Sequence, residues 1–524
     1  MSEKKRVVVV DDLAPECIGR LREDGLAVDE QSAWGEADLV AGVDGYDALI
    51  AGPGVPVTAA VLAAGHALRV VGRAGADVAG IDVAAATRRG IIVVHAPDAD
   101  LVSEAEQALA LVLACARDLS GADAALRRGD ADRRTGDGIE VRGKTLGIIG
   151  VRPSSALLVE RARALGMAVL ACEPQAGADA AGSVECIAPE QVLARADVLV
   201  VQTPAEAALF GAAELAQLRP GARVVSPCSP GAVDLEALAA ALAAGAVAGA
   251  AVAVEPGAAP SAAVLGAPHL LLTSAADAAT LDARRRAGVS VAEQVGAVLK
   301  GRLLRGAVNV PAAAGDDADE LMPYMDLCSR LGRLLVQLAG EPVDSVEIAY
   351  GGSVAYFDTR LLTAGVLGGV LADRAGSPVN FVNAEVVAAE LGVTASETRQ
   401  SGIPDFPRLI TVAVAGSGGA MSVSGTSLGS EHKQRLVRVF GEDVDIEPAP
   451  HMAFLRYVDA PGIGGKVGTL LGEWAVNIGH LSVGRGKLGD EAVMALTLDE
   501  SLTPEQTERL VADCGLEFAR AVEL

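Results

Sequence analysis

With 524 residues, 51% of them hydrophobic, the chain exceeds a single core and carries apolar material for about three to five domains. A formal net charge of −25 makes nucleic acid a poor partner, because phosphate binding needs a basic face, and reads as a solvated acidic surface. Aromatic residues are only 3% while glycines number 60, so the cores should pack small side chains with backbones close together, as helix-on-sheet layers do.

The start, MSEKKRVVVVDD, is charged and then enters a strand too short for a signal-peptide core. Four β-branched runs, RVVVV (6–10), DALIAG (47–52), RVVGRAG (69–75) and GIIVVH (90–95), alternate with Ala-rich helical patterns. A second series follows: TLGIIG (145–150), AVLACE (168–173), DVLVVQ (197–202), ARVVSP (222–227), AVAV (251–254) and LLLTS (270–274). Continuous apolar strands separated by helices predict parallel sheets covered on both faces, and two series predict two doubly wound domains, flavodoxin-like or Rossmann-like. Within the second series, Ala237 to Val254 is uncharged and almost long enough to cross a bilayer. It is mostly Ala and Gly, however, and Gly245 and Gly249 divide it into a helix and a strand. No membrane partner is expected, and the chain reads as a soluble cytoplasmic protein. The seven cysteines (17, 115, 172, 186, 228, 328, 514) are odd in number, scattered and without a CxxC pair, which argues against a disulfide framework and a zinc site. No metal is expected.

The periodic stretch Asp282 to Lys300 predicts a helix. AAAGDDADE (312–320) reads as a linker, and the runs SVEIAY, LITVAVAG and AMSVSG alternate as antiparallel strands do. The end of the chain is a compact strand–helix–strand pattern around DAPGIGGKVGTLLGEWAVNIGHLSV.

Three runs together carry a resemblance that none carries alone: HAPDADLVSEAEQALALVLACARDL (95–119), GKTLGIIG (143–150) and VDAPGIGGKVGTLLGEWAVNIGHLSVGR (458–485). With GAVNVP (306–311), NFVNAEVVAAELGV (380–393) and VSGTSLG (423–429), the whole chain resembles long-form D-3-phosphoglycerate dehydrogenase. The resemblance implies an α/β chain of four parts. Residues 1–97 and 283–310 would form a discontinuous substrate-binding domain and 98–282 a Rossmann nucleotide-binding domain. Residues 311–450 would form an α+β intervening domain and 451–524 a ferredoxin-like ACT regulatory domain. It also implies NAD as cofactor, serine as effector, and a dimer or tetramer assembled through the ACT and nucleotide domains.

Hydride transfer from a 2-hydroxy acid needs a cofactor held by its pyrophosphate, a cation on the substrate carboxylate and a base for the hydroxyl proton. The family's GxGxxG turn aligns with Gly150-Val151-Arg152-Pro153-Ser154-Ser155, where only the first glycine remains. Arg152 stands where backbone should approach the phosphates, and Pro153 removes a donor. Two readings follow: Arg152 obstructs the dinucleotide, or it pairs with a phosphate as in some NADP sites. Glu173 ends the next strand at the family's ribose-binding acid, or is an ordinary strand-end carboxylate.

The family's carboxylate-clamping arginine aligns with Ser229 in the stretch 225–234, and a hydroxyl cannot replace a bidentate guanidinium. Neither Cys228 nor Ser229 has a histidine nearby in sequence to make it a nucleophile. The family's catalytic histidine aligns with Ala275, while His269 lies on the near side of the strand. Glu255 matches the histidine-orienting glutamate and reads as a relic. Gly52 replaces a phosphate-contacting arginine, and Asp77 in the loop 73–77 would repel an acid. Five losses in one cleft predict that hydride transfer is gone.

The tail keeps the family's effector positions Tyr457, Asp459, Gly462 and Asn477. Gly462 opens a helix whose first amides can take a carboxylate, and the Asn477 amide offers both donor and acceptor. The reading is an amino-acid-sensing regulatory or scaffolding subunit that pairs with itself or with an active paralogue. Two alternatives stand beside it: an active 2-hydroxyacid dehydrogenase or a repurposed enzyme using the same cleft, and a tail kept only for dimerisation.

Overall fold

The computed structural model describes residues 4–129, 138–172, 184–203, 209–275, 280–302, 307–310, 317–340, 342–376, 378–400, 406–416, 419–429, 432–485 and 490–524. The chain divides into two compact units, Ala96–Gly288 and the remainder, Met1–His95 with Val289–Leu524.

The larger unit holds three sheets. The first contains β1 (Arg6–Val10), β2 (Ala27–Glu30), β3 (Ala48–Ala51), β4 (Val70–Arg73) and β5 (Ile92–Val94) in the order β2-β1-β3-β4-β5, all parallel. Val8, Leu49, Val71 and Val93 are fully buried in its core, as continuous β-branched runs covered by helices require. The order reverses between β1 and β3, so the loops after these strands open together at the carboxyl end, where doubly wound sheets place their ligands.

The smaller unit contains β6 (Thr145–Ile149), β7 (Ala168–Cys172), β8 (Glu185–Cys186), β9 (Val198–Val201), β10 (Arg223–Ser226), β11 (Gly249–Val254) and β12 (Leu270–Ser274). The order is β12-β11-β10-β9-β6-β7-β8, again all parallel, with the reversal between β6 and β9. The uncharged stretch 237–254 lies in the helix Leu235–Ala243 and then β11. Among the described residues no helix is long and apolar enough to cross a membrane.

The third sheet has β13 (Ser345–Gly352), β14 (Thr394–Gln400), β15 (Arg408–Gly416), β16 (Gly419–Leu428), β17 (Lys433–Val439) and β18 (Glu442–Ile446), in the order β14-β13-β15-β16-β17-β18. The three alternating runs, in β13, β15 and β16, pair antiparallel as expected, while β14, which carries no apolar alternation, pairs parallel to β13. Two helices, Arg360–Leu371 and Ala384–Leu391, form the crossover a parallel pair needs. The expected linker is shorter than its composition suggested, because residues from Asp317 already belong to the helix Asp317–Ala339. That helix and Arg360–Leu371 are packed backbone to backbone. A Cβ added at Gly332 would lie 2.2 Å from Val366 O, and one at Gly369 would lie 2.0 Å from Ser329 O.

The fourth sheet, β19 (His451–Val458), β20 (Ile478–Arg485), β21 (Glu491–Leu498) and β22 (Phe518–Glu523), is antiparallel in the order β20-β21-β19-β22. With the helices Ile463–Glu473 and Pro504–Cys514 it makes the βαββαβ arrangement of a ferredoxin-like fold.

Candidate functional site

At the carboxyl end of β6 the chain turns through Gly150, whose φ of +84° suits glycine. A Cβ there would meet Thr203 Oγ1 at 2.1 Å and Thr203 N at 2.5 Å, so the close approach of two strand ends fixes this residue. The helix Pro153–Ala164 begins immediately afterwards. Its first turn is closed by side chains of this same chain. Arg152 N–H donates to Ser155 Oγ (2.9 Å), and the Ser155 hydroxyl donates to Gln202 Oε1 (2.7 Å). The Glu104 carboxylate accepts from Arg152 Nη2 (3.0 Å) and from Ser154 Oγ (2.7 Å). Both partners of that ion pair are largely sheltered, with side-chain exposures of 32% and 15%.

A helix N-terminus attracts an anion, and here the anion is internal. The turn therefore does not fit a pyrophosphate in the family's manner: Arg152 is spent on Glu104, a carboxylate stands beside the first helical turn, and Pro153 offers no N–H. Arg152 reaches Glu104, a contact that neither expectation included. Its partner lies 48 residues earlier, on the helix Leu101–Arg117, and no local pattern pointed to it. Glu173 lies outside the described residues.

In the loop after β10, Ser229 is 3% exposed, and its Oγ has no hydrogen-bond partner among the described residues. It faces the interior, so nothing at this position can clamp a carboxylate. Burial pushes the neighbouring Cys228 thiol up, opposite to what a nucleophilic thiolate requires. Val254 and Ser274 are paired across β11 and β12, so Glu255 and Ala275 follow side by side at the carboxyl end. Glu255 is exposed. His269 stands at the opposite end of β12, where its Nδ1 meets Asp118 Oδ2 at 3.0 Å. An imidazole tied there serves a structural contact between β12 and Asp118. Asp277 lies outside the described residues.

In the larger unit, the carboxyl end of the first sheet is acidic. A Cβ added at Gly52 would fall 1.9 Å from Asp11 Oδ2, so an aspartate fills the space of the side chain that glycine lacks. Arg73 is 1% exposed and donates from Nη1 to Gly52 O and to Val55 O (2.9 Å), bracing the loop. Burial lowers its pKa, and Asp77 and Asp11 act in the opposite sense. The charges of Asp77 and Asp11 thus partly offset the cost of burying this guanidinium. His95, which the sequence reading passed over, ends β5 with Nδ1 3.0 Å from Ala76 O, while Gln294 Nε2 donates to its carbonyl (2.7 Å).

The four effector positions do not converge within one copy of the C-terminal domain. Tyr457 is buried, and Asp459 accepts from Arg485 Nη1 at 3.1 Å at the end of β19. Burial raises the Tyr457 pKa first, followed by the charge of Asp459. Gly462 (φ +95°) opens the helix Ile463–Glu473 at this same end. Asn477 precedes β20, which is parallel to β19 through their shared neighbour β21, and it donates from Nδ2 to Asp499 Oδ2 at 3.0 Å. Asn477 and Asp459 therefore lie at opposite ends of the sheet, about 30 Å apart along it at the rise of an extended strand. Sequence spacing could not reveal this, because the helix between them brings the chain back along the sheet. The outer side of β20 meets the third sheet: Asp445 N–H donates to Ser482 Oγ at 3.0 Å, and a Cβ on Gly484 would lie 2.1 Å from Asp443 O.

Among the described residues no cluster of His, Cys, Asp and Glu could hold a metal ion. Two family models match the chain. The NAD-binding domain of D-isomer-specific 2-hydroxyacid dehydrogenases matches residues 109–274, and the D-3-phosphoglycerate dehydrogenase intervening domain matches residues 320–440. D-3-phosphoglycerate dehydrogenase of Archaeoglobus fulgidus is 33% identical over 529 residues, covering 99% of this chain and 100% of that protein. The Mycobacterium leprae enzyme of the same name is 35% identical over 527 residues, covering 99% of each. Among solved structures, the TT0316 protein from Thermus thermophilus superposes with a TM-score of 0.50 at 29% identity, covering 58% of this chain and 99% of that one. D-2-hydroxyisocaproate dehydrogenase shares the fold with a TM-score of 0.52 at 19% identity, covering 58% and 99%.

Proposed function

The chain belongs to the D-3-phosphoglycerate dehydrogenase family of serine biosynthesis, and from that premise we infer that it has lost hydride transfer and serves as an amino-acid-sensing regulatory or scaffolding subunit. The observation that carries this reading is the pair Glu255 and Ala275 at the carboxyl ends of β11 and β12. The orienting acid is present and the imidazole it would orient is not. Buried Ser229 and the Glu104–Arg152 pair support the same conclusion from two other positions.

Asp459 and Asn477 support a sensing role only if a second copy brings Asn477 to the Asp459 end, so a dimer is part of the proposal. β18 packs against β20 through Ser482 and Gly484, and the exposed Val458, Leu481 and Val483 of the fourth sheet supply apolar surface for that pairing. Serine is the first effector to try.

One observation favours a repurposed enzyme: His95 puts an imidazole at the carboxyl end of the first sheet. A single experiment separates the readings. The full chain is assayed for NAD-dependent oxidation of 3-phosphoglycerate, and its melting is followed across a panel of amino acids. No turnover together with a serine-induced rise in midpoint, abolished in Asn477→Ala, is the expected result. Turnover in the usual range of about 1–10³ per second would overturn the silent reading. A flat melting midpoint for every amino acid would overturn the sensing one.

A further inference from the structure

The amino end of the first sheet, opposite the loops at Gly52 and Asp77, borders a cavity of about 640 Å³ within the larger unit. Four arginines line it: Arg69 before β4, Arg88 and Arg89 at the end of the helix Val83–Arg88, and Arg302 after the helix Leu281–Leu299. Among the described residues no acidic side chain lines it, and none of the four has an ion-pair partner. His66 at the rim has a carboxylate beside it, Asp44, with Nδ1 and Oδ1 3.3 Å apart. In a chain of net charge −25, four guanidinium groups around one concavity with no acid beside them among the described residues are an unfavourable arrangement.

The joint behind them is firmly built. Asn380 Nδ2 donates to Gly90 O (2.8 Å) and Asn383 Nδ2 to Arg88 O (3.2 Å), which fastens the intervening domain to the first sheet. A Cβ on Gly90 would lie 2.5 Å from Asn380 Nδ2, so this approach depends on a glycine. The rest of the wall is apolar, from Ile92, Val298, Met322 and Phe381.

Cations after a helix end are favoured by the helix dipole, which accounts for Arg88, Arg89 and Arg302 one at a time. It does not account for their meeting Arg69 around an apolar-walled cavity. We propose that this cavity binds a small phosphate ester with an apolar body. Guanidinium forks match phosphate oxygens bidentately, and the volume lies in the range of small-molecule sites. An inorganic ion would leave the apolar wall wet. The occupant would bridge the first sheet and the intervening domain, and would stabilise the folded chain by mass action.

The test uses the full chain with 1-naphthyl phosphate, and with inorganic phosphate as comparison, followed by calorimetry and by melting. The ester should bind saturably, more tightly than inorganic phosphate and more weakly as salt screens the arginines. Arg69→Glu with Arg302→Glu should weaken it at least about tenfold, and Met322→Trp should weaken the ester while sparing inorganic phosphate. Arg509→Glu, on the helix Pro504–Cys514, should leave binding unchanged. If the double charge reversal fails to fold, the milder Arg302→Gln must still lower affinity. Absence of saturable binding by the wild type overturns the proposal. So does ester binding that survives the arginine substitutions, or a lower melting midpoint with an unchanged ligand-induced shift, which is what a purely dipole-stabilising role predicts.

Discussion

Replacing Glu104 by glutamine keeps the shape of the side chain and removes its charge, so Arg152 becomes an uncompensated cation at the start of the helix Pro153–Ala164. In the wild type the two charges cancel across 3.0 Å. An anion brought within ~5 Å of the Glu104 carboxylate meets a repulsion of about 3 kcal/mol at an effective dielectric constant near 20. Removing that term should tighten NAD binding by one to two orders of magnitude, at about 1.4 kcal/mol per factor of ten. The same substitution weakens two charge-assisted hydrogen bonds, from Arg152 and from Ser154, at a cost of about 1–2 kcal/mol because the pair is partly exposed. The midpoint should therefore fall by a few degrees while affinity rises, an opposition that simple destabilisation does not produce. Calorimetric titration of wild type and Glu104→Gln with NAD, alongside melting curves, measures both. A micromolar dissociation constant in the wild type, or no gain in the variant, refutes the idea that an internal carboxylate closes the turn.

Three further outcomes are expected. Ser229→Arg, which restores the family's residue, should lower stability by roughly 2–4 kcal/mol and restore no turnover, because the side chain it replaces is 3% exposed and a guanidinium would be buried unpaired. Gly150→Ala should cost roughly 2–4 kcal/mol, read by urea melting, since its Cβ would overlap Thr203 backbone and side chain at a φ of +84°. The Tyr46 hydroxyl donates to Asp29 Oδ2 (2.8 Å) and, ahead of Arg6, holds that carboxyl below its ordinary range. A depressed folded-state pKa gives stability that is present above the unfolded value of about 3.9 and lost as pH falls through the folded one. Tyr46→Phe should thus be less stable than wild type at neutral pH, and the gap should close in acid.

Both parallel sheets were legible because their strands are buried on two faces, so hydrophobic runs such as Val7–Val10 and Val198–Val201 announce themselves. Edge strands were not. β2 is half exposed, β8 fully exposed, and every residue of β14 (TASETRQ) is exposed, leaving no apolar period to read. The altered positions in the site were legible for a different reason. Ser229, Ala275 and Arg152 stand at alignable places beside strand ends. What occupies the vacated roles was hidden, since the pairs involved, Arg152 with Glu104 and His269 with Asp118, are 48 and 151 residues apart. Geometry, not spacing, decides which carboxylate reaches which cation.

That geometry has a consistent sign. Where the family would hold anions, this chain supplies its own carboxylates: Glu104 beside the first turn of a helix, Asp11 in the side-chain space of Gly52, and Asp77 acting with Asp11 on buried Arg73. Drift that merely removed function would delete cations and leave neutral gaps. Acids placed near these cations offset their charge, directly in the Glu104–Arg152 pair and at longer range for Arg73. A substrate phosphate or carboxylate would have to displace those acids before it could bind. The four arginines at the amino end of the first sheet have no such acids among the described residues, so an anion arriving there displaces only water. Selection on fold alone would be expected to neutralise both ends of the sheet alike. Among the described residues acids stand beside the cations of the carboxyl end, whereas the cavity with Arg69, Arg88, Arg89 and Arg302 is lined by none, and there an incoming anion meets a net attraction.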